Sequence, residues 1–463
     1  MINMVESKIF QSRFGFMLVN AAALMCGVPA VSAETIVLDV DQTVERAHNT
    51  DPRISEKEKL VQVARGLLEE AEGAKSWLID VNTFVGFAPS VKGGIFEDAE
   101  GDLKIDKDVL DFNGLSPWYN LEFTVVYPFS TWGKAKNYAE AAQNNIKVQT
   151  AEIDIQRAQT FIDAETAYYG YLTARDAVAM LEDSGEKLQS AIDLVQGWLK
   201  KGSAQAKQSD LYALQTGQGI LNRYLEQAKG LEQVAQAGLH LLTGIPNTDE
   251  IQPADKRLQP VALPTETLEE LQQKALAQRP EMAQVEAGLN ARRALIEAKR
   301  SEAYPNFYAG IGGAFAYSPN RPRLNEIAIY DPFNHYGATP VVGMKWDWWT
   351  GRQSGQVTQA EGEYNALIEK KSFAQMGIPF QVAEQYHQVH AHYKMVQQLY
   401  NAARSGRRWM LASYADFEAG VEKAEKVMTA FQGYVLAYSD YLQMVNKYNL
   451  HVAQLRVATG ETK

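Results

Sequence analysis

The sequence predicts an α+β membrane protein that joins long α-helical coiled-coil hairpins to four β-strands per chain, which contribute to a shared barrel. Three observations lead to this fold class. The run from Gly133 to Gly244 contains no proline, and its apolar residues recur at a spacing of three and four. Four shorter segments alternate between apolar and polar or small residues, with tryptophans close by. The same order of elements occurs twice along the chain, which indicates an internal duplication.

Residues 1–33 have the features of a secretory signal peptide. Lys8 and Arg13 precede a short apolar stretch, and Val31-Ser32-Ala33 fits the small-residue rule for cleavage. The only cysteine, Cys26, lies inside this segment, so we expect an exported mature chain without disulfides and without a lipid anchor. The formal net charge is −11, and no basic patch typical of nucleic-acid binding stands out.

Each half of the chain is predicted to run helix, strand, loop, strand, long helix, tip and helix. The first helix covers Val40 to Ser76, and its copy covers Leu268 to Ala303. We therefore predict a first structural repeat at residues 34–244, a proline-rich linker at 245–267 and a second repeat at 268–463. Matching residues follow one another in the same order in the two halves: Pro52 and Pro280, Glu58 and Glu286, Arg65 and Arg293, Gly133 and Gly351, Tyr168 and Tyr386, Gly202 and Gly420.

The strands are predicted from segments of about ten residues, the length that a tilted strand needs to cross a bilayer. Tryptophan and tyrosine near their ends favour the membrane interface. The apolar sides are Val81, Val85 and Phe87; Leu121, Phe123, Val125, Tyr127 and Phe129; Phe307, Ile311, Phe315 and Tyr317; and Val342, Met344, Trp346 and Trp348.

Four strands are too few to close a barrel, because open edges in lipid leave backbone groups unpaired. Copies of the chain must then share one barrel. Two chains would give eight strands and three would give twelve, and strand counting does not choose between them. The alternative is a soluble antiparallel sheet with one buried face, which has the same alternation.

The long helix from Gly133 to Lys200 would measure about 100 Å. Lys200-Lys201-Gly202-Ser203 has the basic and glycine residues of a helix end, and a second apolar series follows. This pattern predicts a helical hairpin. The first seam is Ala164, Ala167, Tyr171, Ala174, Val178, Leu181, Gly185, Leu188, Ile192, Val195 and Leu199, and the second is Leu211, Leu214, Leu221, Leu225 and Ala228.

Taken together, these features resemble the TolC-like outer-membrane efflux family over essentially the whole mature chain. The resemblance depends on the doubled unit and on an ordered set of short motifs. It implies a homotrimer with one twelve-stranded outer-membrane barrel, a helical tunnel through the periplasm, a periplasmic adaptor (membrane fusion) protein and an inner-membrane pump. The motifs are Asp51-Pro52, Arg279-Pro280, Tyr304-Pro305-Asn306-Phe307, Trp132-Gly133, Thr350-Gly351, Gly202 and Gly420.

The resemblance further implies that the hairpin tips at Gly202 and Gly420 dock the adaptor, and that loops 91–116 and 319–337 face outside the cell. Family members narrow the closed end of the tunnel with aspartates just after the second tip, but Lys426 and Thr429 occupy those places here. We therefore take Asp210, Glu422 and Glu425 as candidate tunnel-entrance charges, because a ring of repeated carboxylates favours cations. A solvated face of mixed charge remains the alternative.

No residues suggest an enzyme, a cofactor or a metal centre. His387, His390 and His392 are the only histidine cluster, and they do not share one helix face. The acidic stretch 97–102 lacks the spacing of an EF-hand, so calcium binding there stays open. Pro379 is expected to bend the second long helix, either as a hinge or as a static kink.

The predicted function is the passive exit of drugs, small toxic compounds or secreted proteins in a tripartite efflux or type I secretion system. A periplasmic coiled-coil scaffold or adaptor with a soluble sheet is the alternative.

Overall fold

The computed structural model describes residues 35–90, 95–97, 103–105, 111–203, 207–319, 330–347 and 350–461. The predicted signal peptide lies outside them. In chain order the elements are β1 (Thr35–Leu38), α1 (Val40–Thr50), α2 (Pro52–Gly73), β2 (Leu78–Ser90), β3 (Ile95–Glu97), β4 (Leu103–Ile105), β5 (Asp111–Ser130), α3 (Lys134–Lys200), α4 (Gln208–Thr243), β6 (Glu250–Pro253), α5 (Leu268–Gln278), α6 (Pro280–Ser301), β7 (Asn306–Tyr317), β8 (His335–Lys345), α7 (Thr350–Glu418) and α8 (Ala424–Ala458).

The helix predicted at the start of each half is in fact two helices. The break falls at Asp51 in the first half and at Arg279 in the second, where ψ is 114° and 130°. Both residues precede a proline, which excludes the helical conformation from the residue before it and favours an extended one. The proline itself then starts the next helix, where its missing N–H costs nothing. A single helix from Val40 to Ser76 is therefore a wrong prediction, as is its copy.

The four predicted strands form one antiparallel sheet in the order β2-β5-β7-β8. The β5–β7 pairing joins the two halves of the chain, with Tyr119 opposite Tyr317 and Val125 opposite Ile311. Strands β2 and β8 are the two edges, and neither edge is paired within the described part of the chain. A short ribbon, β3–β4, lies in the loop between β2 and β5.

A second, smaller sheet was not predicted. β1 pairs in parallel with β6, which lies in the segment between the repeats. This segment is anchored rather than loose, because the Leu258 N–H donates to Asp176 Oδ2 at 2.8 Å and the Val261 N–H donates to Asn449 Oδ1 at 3.0 Å. Ile251 and Leu258 are buried in the main core. The segment thus holds α3 and α8 together.

The long helices form the two predicted hairpins and pack in the order α7–α8–α3–α4. Six members of the predicted α3 seam are buried, and the other five are half-buried. Further buried residues, such as Phe161 and Leu172, lie off that seam, because α3 also packs against α1, α2, α6 and α8. Pro379 lies inside α7, and the Gln272 side chain of α5 donates to its carbonyl oxygen at 3.0 Å.

None of the helices among the described residues combines the length and apolar character needed to cross a bilayer.

Candidate functional site: the four-stranded sheet and the hairpin tips

The four-stranded sheet exposes one continuous apolar face. Strand register places the predicted apolar residues of β2, β5, β7 and β8 on this face, and nothing in the described chain covers it. Of the predicted tryptophans, Trp346 lies beyond the end of β8, and Trp348 lies outside the described residues. Val85 and Val342 are 71% and 78% exposed. An apolar surface of this extent is unstable in water. Its members are Ile79, Val81, Val85, Phe87, Tyr119, Leu121, Phe123, Val125, Tyr127, Ile311, Phe315, Tyr317, Tyr336, Val342 and Met344.

The opposite face is mixed, and its polar side chains, glycines and alanines lie among Leu78, Phe84, Trp118, Val126 and Val341. Asp80 and Asn82 of β2 lie near Glu122 and Thr124 of β5, and the Asn82 amide donates to Asp80 Oδ1 at 2.8 Å. Towards the helices this face borders a cavity of about 1280 Å³ between the sheet and α2, α3, α6 and α7. The sheet therefore has an apolar side and a wettable side, as a pore wall in a membrane requires.

Aromatic side chains mark both ends of the apolar face. Near the helices, Trp77 lies against Tyr127 with ring centroids 5.4 Å apart. At the far end, Tyr119 stands opposite Tyr317. Tyr119 and Tyr127 are eight residues apart on β5, or about 27 Å at 3.4 Å per residue. That separation is close to the roughly 25 Å apolar band of outer-membrane barrels, which aromatic girdles flank.

The two hairpin tips have the same local structure. Gly202 and Gly420 adopt φ values of 64° and 76°, a region that a glycine without a Cβ occupies readily. Just beyond each glycine, the backbone N–H donates back across the last helical turn, from Ser203 to Trp198 and from Val421 to Asp416. Each helix therefore ends with its last carbonyl groups paired.

The tips also lie side by side. Trp198, from the end of α3, packs edge-on against Phe417, from the end of α7, with ring centroids 5.3 Å apart. This contact was not predicted, although an aromatic residue three or four positions before each tip glycine was a visible signal. Val421 is 80% exposed at the end of the second tip.

Asp210, Glu422 and Glu425 all lie just after the tips. Asp210 caps α4, because its carboxylate accepts the Lys207 N–H at 2.9 Å. Glu422 accepts hydrogen bonds from Lys426 Nζ and the Lys423 N–H, and these partners lower its pKa. Glu425 is exposed. Two of the three carboxylates thus have a local structural role.

The histidine cluster does not converge. His390 packs on Tyr386, whereas His392 stacks against His451 of α8 with ring centroids 4.6 Å apart. Within the described ranges, no group of three or more His, Cys, Asp or Glu side chains is placed to hold a metal ion. Most of the acidic stretch 97–102, including every aspartate in it, lies outside the described residues.

One buried ion pair joins the two halves below the sheet. Arg456 of α8 lies 3.3 Å from Glu165 of α3, and its guanidinium stacks 4.8 Å above the Phe161 ring. The Glu165 side chain is only 5% exposed. Burial raises the pKa of Glu165 to about 7, while Arg456 acts in the opposite direction.

Comparisons with known proteins agree with this geometry. A family model described as outer membrane efflux protein matches residues 271–461. No curated protein sequence matches the chain. Among solved structures, the Campylobacter jejuni CmeC outer membrane channel has 11% identity and a TM-score of 0.73, covering 91% of this chain and 86% of its own.

Two further channels share the fold. CusC has 15% identity and a TM-score of 0.72, covering 92% of this chain and 93% of its own. The Neisseria gonorrhoeae MtrE outer membrane channel, solved in its open state, has 15% identity and a TM-score of 0.70, covering 91% and 88%.

Such low identities establish the α+β fold alone, and the match to the family model is confined to residues 271–461. The chain thus resembles the outer membrane efflux protein family: residues 271–461 match its family model, and nine-tenths of the chain has the fold of these channels.

Proposed function

We propose that three copies of the chain form an outer-membrane duct, with one twelve-stranded barrel and a helical tunnel that extends into the periplasm. The observation that carries the proposal is the exposed apolar face of a sheet with two open edges. In lipid those edges must pair, and β8 of one copy would be antiparallel to β2 of the next. The soluble-sheet alternative would need a cover for the apolar face.

The helical rows offer matching surfaces for the same assembly. α4 and α7 stand at the two ends of the row of four helices, and each exposes an apolar face. Both faces run from about 15 Å to about 60 Å or more above the tips at 1.5 Å per residue. The α4 apolar face is Tyr212, Ile220, Tyr224, Leu231, Val234 and Leu241, and the α7 apolar face is Phe373, Met376, Phe380, Met395 and Trp409.

The proposal also includes an assignment for each part of the chain. Residues 1–33 are the signal peptide, residues 34–244 and 268–463 are two copies of one duplicated unit, and residues 245–267 join them at the equator of the tunnel. The tips at Gly202 and Gly420 face the inner membrane and dock a periplasmic adaptor, through which a pump delivers its substrate. Substrates such as drugs, small toxic compounds or secreted proteins then leave without chemistry.

Asp210, Glu422 and Glu425 are proposed as charges at the tunnel entrance. Three copies would place nine carboxylates near the closed end, which favours cations. Neutralising Glu422 and Glu425 should lower cation selectivity in planar bilayers, and unchanged selectivity would leave them as solvated or capping groups.

Cysteine crosslinking between edge strands tests the trimer. Cysteines on β2, near Val81, and on β8, near Val342, should form disulfides between chains and give dimer and trimer bands in denaturing gels. A control pair at Val81 and Phe123, which face each other on β2 and β5, should crosslink only within a chain. Crosslinking within chains only, with material that is soluble after a carbonate wash, would favour the soluble scaffold.

A further inference from the structure

A compact run of arginines on α7 has no partner among the residues that the structure describes. Arg404, Arg407 and Arg408 are exposed, and none makes an ion pair or hydrogen bond to another described residue. The chain as a whole carries a net charge of −11, so this cluster is a local patch of charge opposite to that of the whole chain.

The cluster lies on a part of α7 that the proposed trimer leaves open. At 100° per residue, Arg404 is about 100° from the buried Ala403, which faces α8, and about 140° from Trp409 of the α7 apolar face. A neighbouring copy seated on the α7 apolar face would therefore leave these arginines in contact with water.

A second element brings a fourth cation to the same place. Burial raises the pKa of Tyr434 and Tyr438 on α8, and the charges of Arg407 and Arg257 partly offset that rise. Arg257 belongs to the segment between the repeats, whereas Arg407 belongs to α7. Two different elements therefore bring a cation close to the same two phenols. Arg257 likewise has no ion-pair or hydrogen-bond partner among the described residues.

The acidic groups facing this place are already engaged. Asp183 and Asp176 of α3 act electrostatically on Tyr434 and Tyr438. Asp183 is bonded to Lys187, and Asp176 accepts the Leu258 N–H and pairs with Arg175. No ion pair with another described residue therefore neutralises the positive charge of the arginines.

The spacing of the exposed residues matches a coiled-coil seam. Tyr400, Arg404, Arg407 and Leu411 follow one another at intervals of four, three and four, and Tyr400 and Leu411 are 52% and 41% exposed. A helix of another protein fits such a stripe, with apolar residues meeting Tyr400 and Leu411 and carboxylates meeting the arginines.

We propose that this basic seam (Tyr400, Arg404, Arg407, Arg408 and Leu411, with Arg257) is a lateral docking surface for an acidic amphipathic helix of a partner protein. The inference rests on the proposed duct, since it assigns that duct a second contact about 15 to 30 Å above the tips. It differs from tip docking, because its affinity depends on salt and on charge.

The test uses the detergent-solubilised full-length protein and two labelled helical peptides. Both carry leucine at heptad positions a and d, and one has glutamate and the other lysine at the flanking positions. Fluorescence anisotropy should detect binding of the glutamate peptide alone, weakening as salt is raised. Arg404→Glu with Arg407→Glu should weaken this binding about tenfold or more. The matched control, Arg352→Glu with Lys394→Glu, reverses two exposed α7 cations elsewhere and should leave it unchanged.

Equal losses in both double variants would overturn the proposal, because net charge alone would then explain binding. No binding of the glutamate peptide by the wild type would also overturn it. The proposal would also be overturned if the arginines bound isolated peptidoglycan sacculi while the protein bound neither peptide. The oligomeric state of the protein and its conductance in planar bilayers are measured on the same preparations. Loss of trimer and conductance in the wild type would contradict the duct itself, whereas an intact conducting trimer without peptide binding contradicts only the docking surface.

Discussion

Two valines show how differently the two regions of this molecule treat apolar residues. Val342 in β8 is 78% exposed, and Val389 in α7 is fully buried. In the long helices, the buried apolar residues face neighbouring helices, and the exposed apolar faces of α4 and α7 lie where the proposed trimer has its contacts. In the sheet, one whole face is apolar and exposed, and the polar side chains of the strands lie on the opposite, mixed face.

The inversion indicates two different surroundings for one chain. The hydrophobic effect drives apolar groups away from water, so the helical region suits water and the sheet suits lipid. Neither region would be stable with its surroundings exchanged. The transition falls where Trp132 packs against Tyr304, at the junction of strands and helices.

The largest expected effect comes from a charge on the apolar face of the sheet. Val81→Arg should block assembly, because Val81 lies opposite Phe123, midway between Tyr119 and Tyr127, and an arginine facing lipid near the midplane costs about 2–4 kcal/mol in each chain. We expect the variant protein to be lost from the outer-membrane fraction in fractionated cells. The matched control is Asn82→Arg, at the next position on the same strand, where the side chain lies on the mixed face. Equal loss of both variants would contradict the assignment of the two faces.

The comparison also explains what the sequence could predict. Periodic patterns identify surfaces, so the α3 seam and the four alternating strands were predicted closely. The β1–β6 pair was missed because each strand has four residues and its partner is far away in the chain. Pro52 and Pro280 were visible in the sequence, but the helix break at each of them was not predicted.

The candidate site depended more on tertiary structure. Asp210 was taken as an entrance charge, yet its carboxylate caps α4, a role that only the backbone geometry reveals. Arg404 and Arg407 were not singled out, because a sequence does not say whether a cation has a partner. Their significance depends on the absence of acidic neighbours on α3 and α8 that are free to pair with them.

An intermediate effect is expected where a charge is buried in the helical region. Burial raises the pKa of Glu165 to about 7 from an ordinary 4.5, so between these pH values the folded state binds more protons than the unfolded state. Wild-type stability should therefore fall as the pH rises through this window. Glu165→Gln should remove that fall, a gain of up to about 3 kcal/mol at pH 8 and little at pH 4.5. Thermal unfolding at the two pH values measures it.

The control for this prediction is Glu186→Gln, at an exposed position on the same helix. It should keep the wild-type dependence on pH. If Glu165→Gln keeps that dependence as well, then Arg456 holds the carboxylate ionised throughout, and the ion pair behaves as a permanent link between α3 and α8.

The smallest effect is expected at Pro379, which lies inside α7 and has no counterpart in α3. Proline has no N–H to donate, so the carbonyl four residues earlier loses its helical partner. The surroundings nevertheless fix this region, because Ile378 and Val382 are buried and Gln272 of α5 bonds the Pro379 carbonyl. Pro379→Ala should therefore shift stability by no more than about 1 kcal/mol and leave conductance unchanged. Gln272→Ala, which releases the carbonyl but keeps the proline, serves as the companion variant. A changed opening frequency in planar bilayers for Pro379→Ala alone would mean that the proline acts as a hinge, and that the two hairpins differ in motion as well as in sequence.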